Sequence, residues 1–345
     1  MSDEEILVPV RSGDELDWAA LEAHVRAHLE LPADEMRVRQ FSAGHANLTY
    51  LLEFGDRALV FRRPPRGTLA PGAHDMAREH KVLSRLWRAY PRAPRSDYYC
   101  DDDSIVGAPF VIIEYREGEV VRGAVPPSMA HHADVERRIC LALVDAMADL
   151  HSVDVDEAGL TDLGRPDGFG ARQVSGWHDR WRRAAPDDPV PAMNEIADEL
   201  AASVPRPPRA SVVHNDLKLD NCQFHADDPD RVTSVFDWDM ATIGDPLFDV
   251  ANLLSSSQQS PVWVVSRDEV AQRYAERSGI DITNIKWYEA FASFRTGVVV
   301  QQLYNRYARG ESTDDRLASM GDLVPGMAER ARALFDESRA GSPTP

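Results

Sequence analysis

Cysteine is scarce. Cys100, Cys140 and Cys222 are spread over 345 positions, odd in number and without a CxxC pair. That excludes a disulfide framework and a structural zinc site, and it fits a reducing, cytoplasmic setting. Long apolar runs are also missing. None approaches the roughly 18 residues that read as a membrane span, so no membrane partner is expected. The opening MSDEEILVPV has no basic n-region and no extended apolar stretch, so it is not expected to act as a signal peptide. Positive charge is in deficit, with 38 Lys plus Arg against 57 Asp plus Glu and a net charge of −19. Nucleic-acid phosphate needs clustered cations, so no nucleic-acid partner is expected. The acidity reads first as a solubility device, with a cationic partner as the alternative.

What is present supports a sizeable core, since 43% of residues are hydrophobic. Ser12 with Glu15 has the form of a capping box, and Trp18, Leu21, Val25 and Leu29 then recur at helical spacing. From Met36 the period changes to two. Segments near 36–41, 48–52 and 58–61, with a Gly55-Asp56 turn, predict a three-stranded antiparallel meander. A helix is expected over 73–89 and a buried strand over PFVIIEY, 109–115. Val135–His151 reads as an amphipathic helix, and 159–175 as Gly-rich and irregular. Short strands at 211–213, 222–225 and 231–236 are followed by helices near 246–255, 267–278, 284–309 and 314–338. The pattern predicts an α+β protein: a small antiparallel β lobe with one helix over 1–115, and a larger, mainly helical lobe over 116–340, with a cleft between them.

The chemistry concentrates in VVHNDLKLDN, 212–221, and VFDWDMATIGDPLFDVANLL, 235–254. A polar turn after a strand would account for the first segment alone. The second repeats the demand for acidic groups after the next hairpin. Asp216 can accept a proton from a substrate hydroxyl, while Asn221 and Asp237 offer the hard oxygens that suit Mg²⁺. Lys218 is close enough in sequence to face the same transferring group, although a solvated surface role is the competing reading. Asp239 can face a metal-bound water or the acceptor, and Asp245 and Asp249 are expected to brace the following helix.

The order H-x-D-x-K-x-x-N, from His214 to Asn221, resembles the catalytic loop of the protein-kinase-like superfamily. DWDMATIGDPLFDVANLL is similar to the second motif of the aminoglycoside phosphotransferase and choline kinase branch. FSAGHANLTY and VFRRPPRG look like the subgroup found fused to acyl-CoA dehydrogenase domains. The resemblance implies a bilobal kinase-like fold that uses ATP and Mg²⁺ on a small-molecule hydroxyl acceptor. It implies Asp216 as the catalytic acid–base residue, Lys218 as a γ-phosphate contact, and Asn221 and Asp237 as metal ligands. His214 would be a loop brace. The family's strand lysine is absent; the resemblance implies Arg62 in its place with Glu79 as its helix partner, a surface arginine and a solvated glutamate being the competing readings. Strand alternation puts Arg62 on the face of Val60 and Arg63 on the other. Gly44 and Asn47, in SAGHAN, would face the phosphates, and Glu114, Tyr115 and Arg116 would form the interlobe hinge that meets adenine through its main chain.

These features predict an ATP- and Mg²⁺-dependent phosphotransferase. The missing lysine leaves a nucleotide-binding regulatory module as the alternative. Protein-kinase activity is the weaker third reading, because no A-P-E signature follows Asp237. Trp177, Trp181, Trp287, Tyr288, Tyr304 and Tyr307 lie in the region expected to shape the acceptor site, though helical spacing favours core positions for them. Oligomeric state is not legible.

Overall fold

The computed structural model describes residues 7–42, 47–65, 74–257 and 260–340. Its first part is β1 (Leu7–Val8), α1 (Trp18–His28), β2 (Arg37–Phe41), β3 (Leu48–Phe54), β4 (Arg57–Arg63), α2 (Met76–Leu86), β5 (Ser96–Cys100) and β6 (Phe110–Glu114). Among the described residues these strands form one six-stranded sheet, ordered β1-β2-β3-β4-β6-β5 and antiparallel throughout. The predicted meander is its centre.

The period of two fixes what each face covers. Tyr50, Leu52, Phe54, Leu59, Phe61, Phe110 and Ile112 turn to one side and bury Leu21 and Val25 of α1. Val60, Val111 and Ile113 turn to the other, toward Met76, Val82, Leu83 and Leu86 of α2. Full burial of side chains such as Phe61 and Leu83 contributes roughly 1.5–3 kcal/mol each, so the sheet is fastened by a helix on both faces. The lobe therefore carries α1 as well as the one helix expected beside the cleft.

The remainder comprises β7 (Glu119–Val120), α3 (Val135–His151), α4 (Phe169–Ala184), α5 (Pro191–Ala202), β8 (Ser211–Val213), β9 (Cys222–His225), β10 (Asp228–Val235), β11 (Thr242–Gly244), α6 (Leu247–Ser256), α7 (Arg267–Ser278), α8 (Ile285–Ala308) and α9 (Val324–Ala340). β9 pairs with β10 and β7, and β8 with β11. The long α8 buries Trp287, Tyr288, Phe291, Phe294 and Val298 in the core shared by α3, α5 and α6. Among the described residues, no helix is long and apolar enough to cross a membrane.

Four expectations need correction. Ser12 and Glu15 do not cap α1. Asp17 does, accepting from the Ala20 N–H, while Glu15 takes the N–H of Gly13. β5 was not expected, because a register shift between Ser96 and Tyr98 breaks its alternation. The Gly-rich stretch turns helical at Phe169, whose ring packs edge-on against Phe248 at 5.3 Å. The last helix does not begin near 314. Two short 3-10 turns precede it, and α9 starts at Val324, with Pro325 in its first turn where no N–H is missed.

Candidate active site

β8 carries Val212 and Val213 into the core and ends where the polar loop begins. Asn215 takes a left-handed turn, φ 69°, a conformation that Asn tolerates better than most residues. The turn is held from below. Both oxygens of the buried Asp249 accept backbone N–H groups, from His214 at 2.7 Å and Asn215 at 2.8 Å. His214 closes the loop from the side. Its Nδ1 accepts the Asp216 N–H at 3.3 Å, so its Nε2 donates to the Phe236 carbonyl at 3.1 Å, which fixes the tautomer. His214 is wholly buried against Trp238, a brace rather than a solvent-facing base.

Asp216 then projects with 36% of its side chain exposed. Its Oδ2 receives the Lys218 ammonium at 2.8 Å and the Asn221 amide at 3.0 Å. Asn221 also donates to the Asp216 carbonyl at 2.8 Å. Both partners are acceptors, so the amide nitrogen must face them and the Asn221 Oδ1 is turned away.

After β10 the chain turns again at Asp237, φ 72°. A left-handed aspartate costs backbone energy, and such outliers gather where a side chain must be aimed. Here Asp237 Oδ1 accepts from Arg62 Nη2 at 2.8 Å, and Arg62 Nη1 donates to Glu79 Oε1. One guanidinium thus ties β4 to α2 and to the segment after β10. Burial works against the Arg62 charge, but Glu79 and Asp237 together outweigh it and raise its pKa. Burial pushes the Glu79 carboxyl up to about 7, with Asp237 and Asp239 adding to the shift and Arg62 opposing it. Burial also opposes ionisation of Asp237, yet Arg62 chiefly holds its pKa below the usual range. Asp239 is shifted upward by burial and by Asp237.

A cleft of about 480 Å³ opens between the two lobes. Asn47, Arg62, Glu79, Glu114, Tyr115, Arg116, Lys218, Asn221 and Asp237 all line it, together with apolar walls from Val60, Leu83, Ile113 and Phe236. Asp216 is not among the lining residues, but it is bonded to two of them, Lys218 and Asn221. Gly44 lies outside the described residues. The hinge side chains are engaged with the scaffold: Glu114 accepts from Arg95 and Arg116, and Arg116 also donates to the Pro91 and Thr233 carbonyls. As expected, Arg62 shares its face with Val60, whereas Arg63 is buried on the other and donates to the Pro64 and Val106 carbonyls.

The donor set fits a hard cation. Asn221 Oδ1 and Asp237 Oδ2 receive no donor among the described residues. No group of three or more His, Cys, Asp and Glu gathers among them. Two hard oxygens from the protein, with phosphates and water giving the rest, would suit Mg²⁺.

Sequence reasoning missed the second layer. Asp249 was expected to brace its own helix, but it braces the loop 34 and 35 residues upstream. It is itself held by His151 Nε2 at 3.3 Å, with Tyr274 on the other ring nitrogen at 2.7 Å. Asp245 does act as a brace, taking the Leu247 N–H and the Tyr288 hydroxyl at 2.6 Å. Of the six aromatics, Trp181, Trp287 and Tyr288 are core. Trp177 is half-buried, and the guanidinia of Arg180 and Arg295 lie over its ring.

The profile described as "Phosphotransferase enzyme family" matches residues 37–288. This chain is a member of that family. Acyl-CoA dehydrogenase family member 11 from Gallus gallus is 31% identical over 94% of the chain, which covers 44% of that relative. Acyl-CoA dehydrogenase family member 10 from Mus musculus is 32% identical over 94% of the chain, covering 31% of that protein. The chain therefore spans less than half the length of either relative. A solved candidate aminoglycoside phosphotransferase from Ralstonia eutropha JMP134 is similar at 26% identity and TM-score 0.79, covering 94% of this chain and 99% of that one. An aminoglycoside phosphotransferase crystallised with AMP-PNP and hygromycin B shares the fold at TM-score 0.58 and 17% identity, covering 94% and 100%. The phosphotransferase family member thus has the protein-kinase-like α+β fold.

Proposed function

We propose that the protein transfers the γ-phosphoryl group of ATP to a hydroxyl of a small molecule, with Mg²⁺ as the metal. The observation that carries this reading is the Arg62 guanidinium, bonded at once to Glu79 and Asp237 on the wall of a cleft that also holds Asn221 and Lys218. A guanidinium locked between two carboxylates presents its remaining N–H groups to phosphate in a fixed direction, as the strand lysine would. In this reading residues 1–115 form the nucleotide lobe and 116–340 the lobe that holds the acceptor. The hinge 114–116 meets the base through main chain, and Asn47 faces the phosphates.

Asp216 orients the acceptor hydroxyl and takes its proton as the oxygen attacks the γ-phosphorus and the bond to ADP breaks. Asn221 keeps Asp216 Oδ2 in place, and Lys218 swings from Asp216 to the incoming phosphate. Asn221 Oδ1 and Asp237 would hold Mg²⁺. When bound, the ion offsets charge on the polyphosphate. A regulatory module that only bound nucleotide would have no use for Asp216, held by two donors and partly open to solvent. The testing experiment follows ADP release with a panel of hydroxyl acceptors. Acceptor-dependent release supports the reading, and nucleotide binding without release from any acceptor overturns it.

A further inference from the structure

The chain carries a large negative charge, yet α4 is cationic on its surface. Arg172, Arg180, Arg182 and Arg183 stand against Asp179 alone within it. Two guanidinia converge there on one indole. Arg180 lies 4.3 Å and Arg295, from α8, 5.2 Å from the centroid of the Trp177 ring. Among the described residues, neither has a carboxylate within ion-pair distance, whereas Arg182 of the same helix is paired with Asp179. Arg295 is partly buried and lies one turn along α8 from Phe291, whose ring is 5.0 Å from that of Phe248, the neighbour of the Asp249 that holds the turn leading into Asp216. A partly buried guanidinium over an indole face, with no carboxylate partner, is placed to receive an oxyanion. Its side chain cannot shed its charge.

From this geometry we infer that Trp177, Arg180 and Arg295 form the acceptor subsite beside Asp216, and that it selects a hydroxyl compound bearing an oxyanion, a carboxylate or a phosphoryl group, over an amine-bearing one. The inference rests on Asp216 being the residue that receives the acceptor hydroxyl. An oxyanion between the two forks satisfies both by charge-assisted bonds and sets the hydroxyl toward Asp216. An ammonium there would meet two like charges.

A matched set on one skeleton tests this: glycerol, glycerate, glycerol phosphate and aminopropanediol. Each is titrated into wild-type protein with ADP and Mg²⁺, read by tryptophan fluorescence, and separately assayed with ATP for ADP release. One or both anions should bind more tightly than glycerol, and aminopropanediol more weakly. Preference for glycerate assigns a carboxylate, and preference for glycerol phosphate a phosphoryl group. Arg295→Met should remove the advantage of the anion over glycerol, a change of about 10- to 100-fold in Kd or KM. Arg180→Met, at an exposed position, should lower it in the same direction and keeps the test sound if the first variant fails to fold. Anion binding without ADP release from any acceptor supports the subsite and counts against phosphoryl transfer. ADP release from glycerol or aminopropanediol with no advantage for either anion overturns the subsite and leaves phosphoryl transfer standing. Anion affinity unchanged in Arg180→Met and in folded Arg295→Met also overturns it.

Discussion

Asn221 grips Asp216 twice with one amide nitrogen, at the backbone carbonyl and at Oδ2, 2.8 and 3.0 Å away. The residue proposed to hold the metal is thereby the one that orients the proposed base. Proton acceptance and charge neutralisation sit on a single short loop, and a shift of that loop would disturb both.

Asp216→Asn keeps the shape of the side chain and removes its capacity to accept a proton. Turnover should fall by about 100- to 10,000-fold, the usual range for a general base. ATP affinity, measured by calorimetry, should stay near wild type. A variant with wild-type turnover would remove Asp216 from the reaction.

Arg62→Lys should hold Mg·ATP about as well as wild type, because an ammonium on the same strand face can still reach phosphate. Arg62→Met should lose about 10- to 100-fold in affinity. Equal affinity in both variants would make Arg62 a scaffold residue that phosphate does not meet.

Glu79 gives a pH signature. Its carboxyl is held at about 7, above its ordinary 4.5, by burial first and then by Asp237 and Asp239. The folded state therefore binds the proton more tightly than the unfolded chain. The stabilisation is full below about pH 4.5 and is lost as pH rises through about 7. Denaturant melts between pH 5 and 8 should show this decline in wild type and a flatter profile in Glu79→Gln. An unchanged slope in the variant would assign the decline to other groups.

Asp249 should matter for stability and activity together. Asp249→Ala leaves the buried His214 N–H and the part-buried Asn215 N–H without their acceptor, a loss of about 2 kcal/mol or more. The folded-state pKa of Asp249 lies below its ordinary value: burial opposes ionisation, but His151 and His214 favour it. Its contribution is thus present above the normal carboxylate range and lost as pH falls through the lowered pKa. Asp249→Ala should lower the unfolding midpoint at neutral pH by urea melts. A midpoint like wild type would mean that the loop holds itself.

The parts legible in sequence were those whose partners lie close along the chain. Asp216 and Asn221 are five residues apart, so their own contact is local to one loop. Arg62 could be told from Arg63 because a strand puts neighbours on opposite faces. Asp249 was visible as an acid at a helix start, but its target depends on how α6 lies under β8, which no local pattern encodes. Arg295 carried no signal, since an arginine in the middle of a long apolar helix gives its chemistry only once Trp177 and Asp216 are beside it. The capping box failed for a smaller reason. Ser12-Glu15 has the right letters, but Asp17 was nearer the apolar repeat and took the helix start.

The most direct measurement is ADP formation across a panel of hydroxyl acceptors, with and without Mg²⁺, in wild type, Asp237→Ala and Asp216→Asn. If one cleft joins nucleotide, metal and base, wild type will release ADP only with an acceptor and Mg²⁺ present. Asp237→Ala will need far more Mg²⁺, and Asp216→Asn will bind the nucleotide but scarcely turn it over. ADP formation that ignores Mg²⁺, or that persists at the wild-type rate in both variants, would contradict the account.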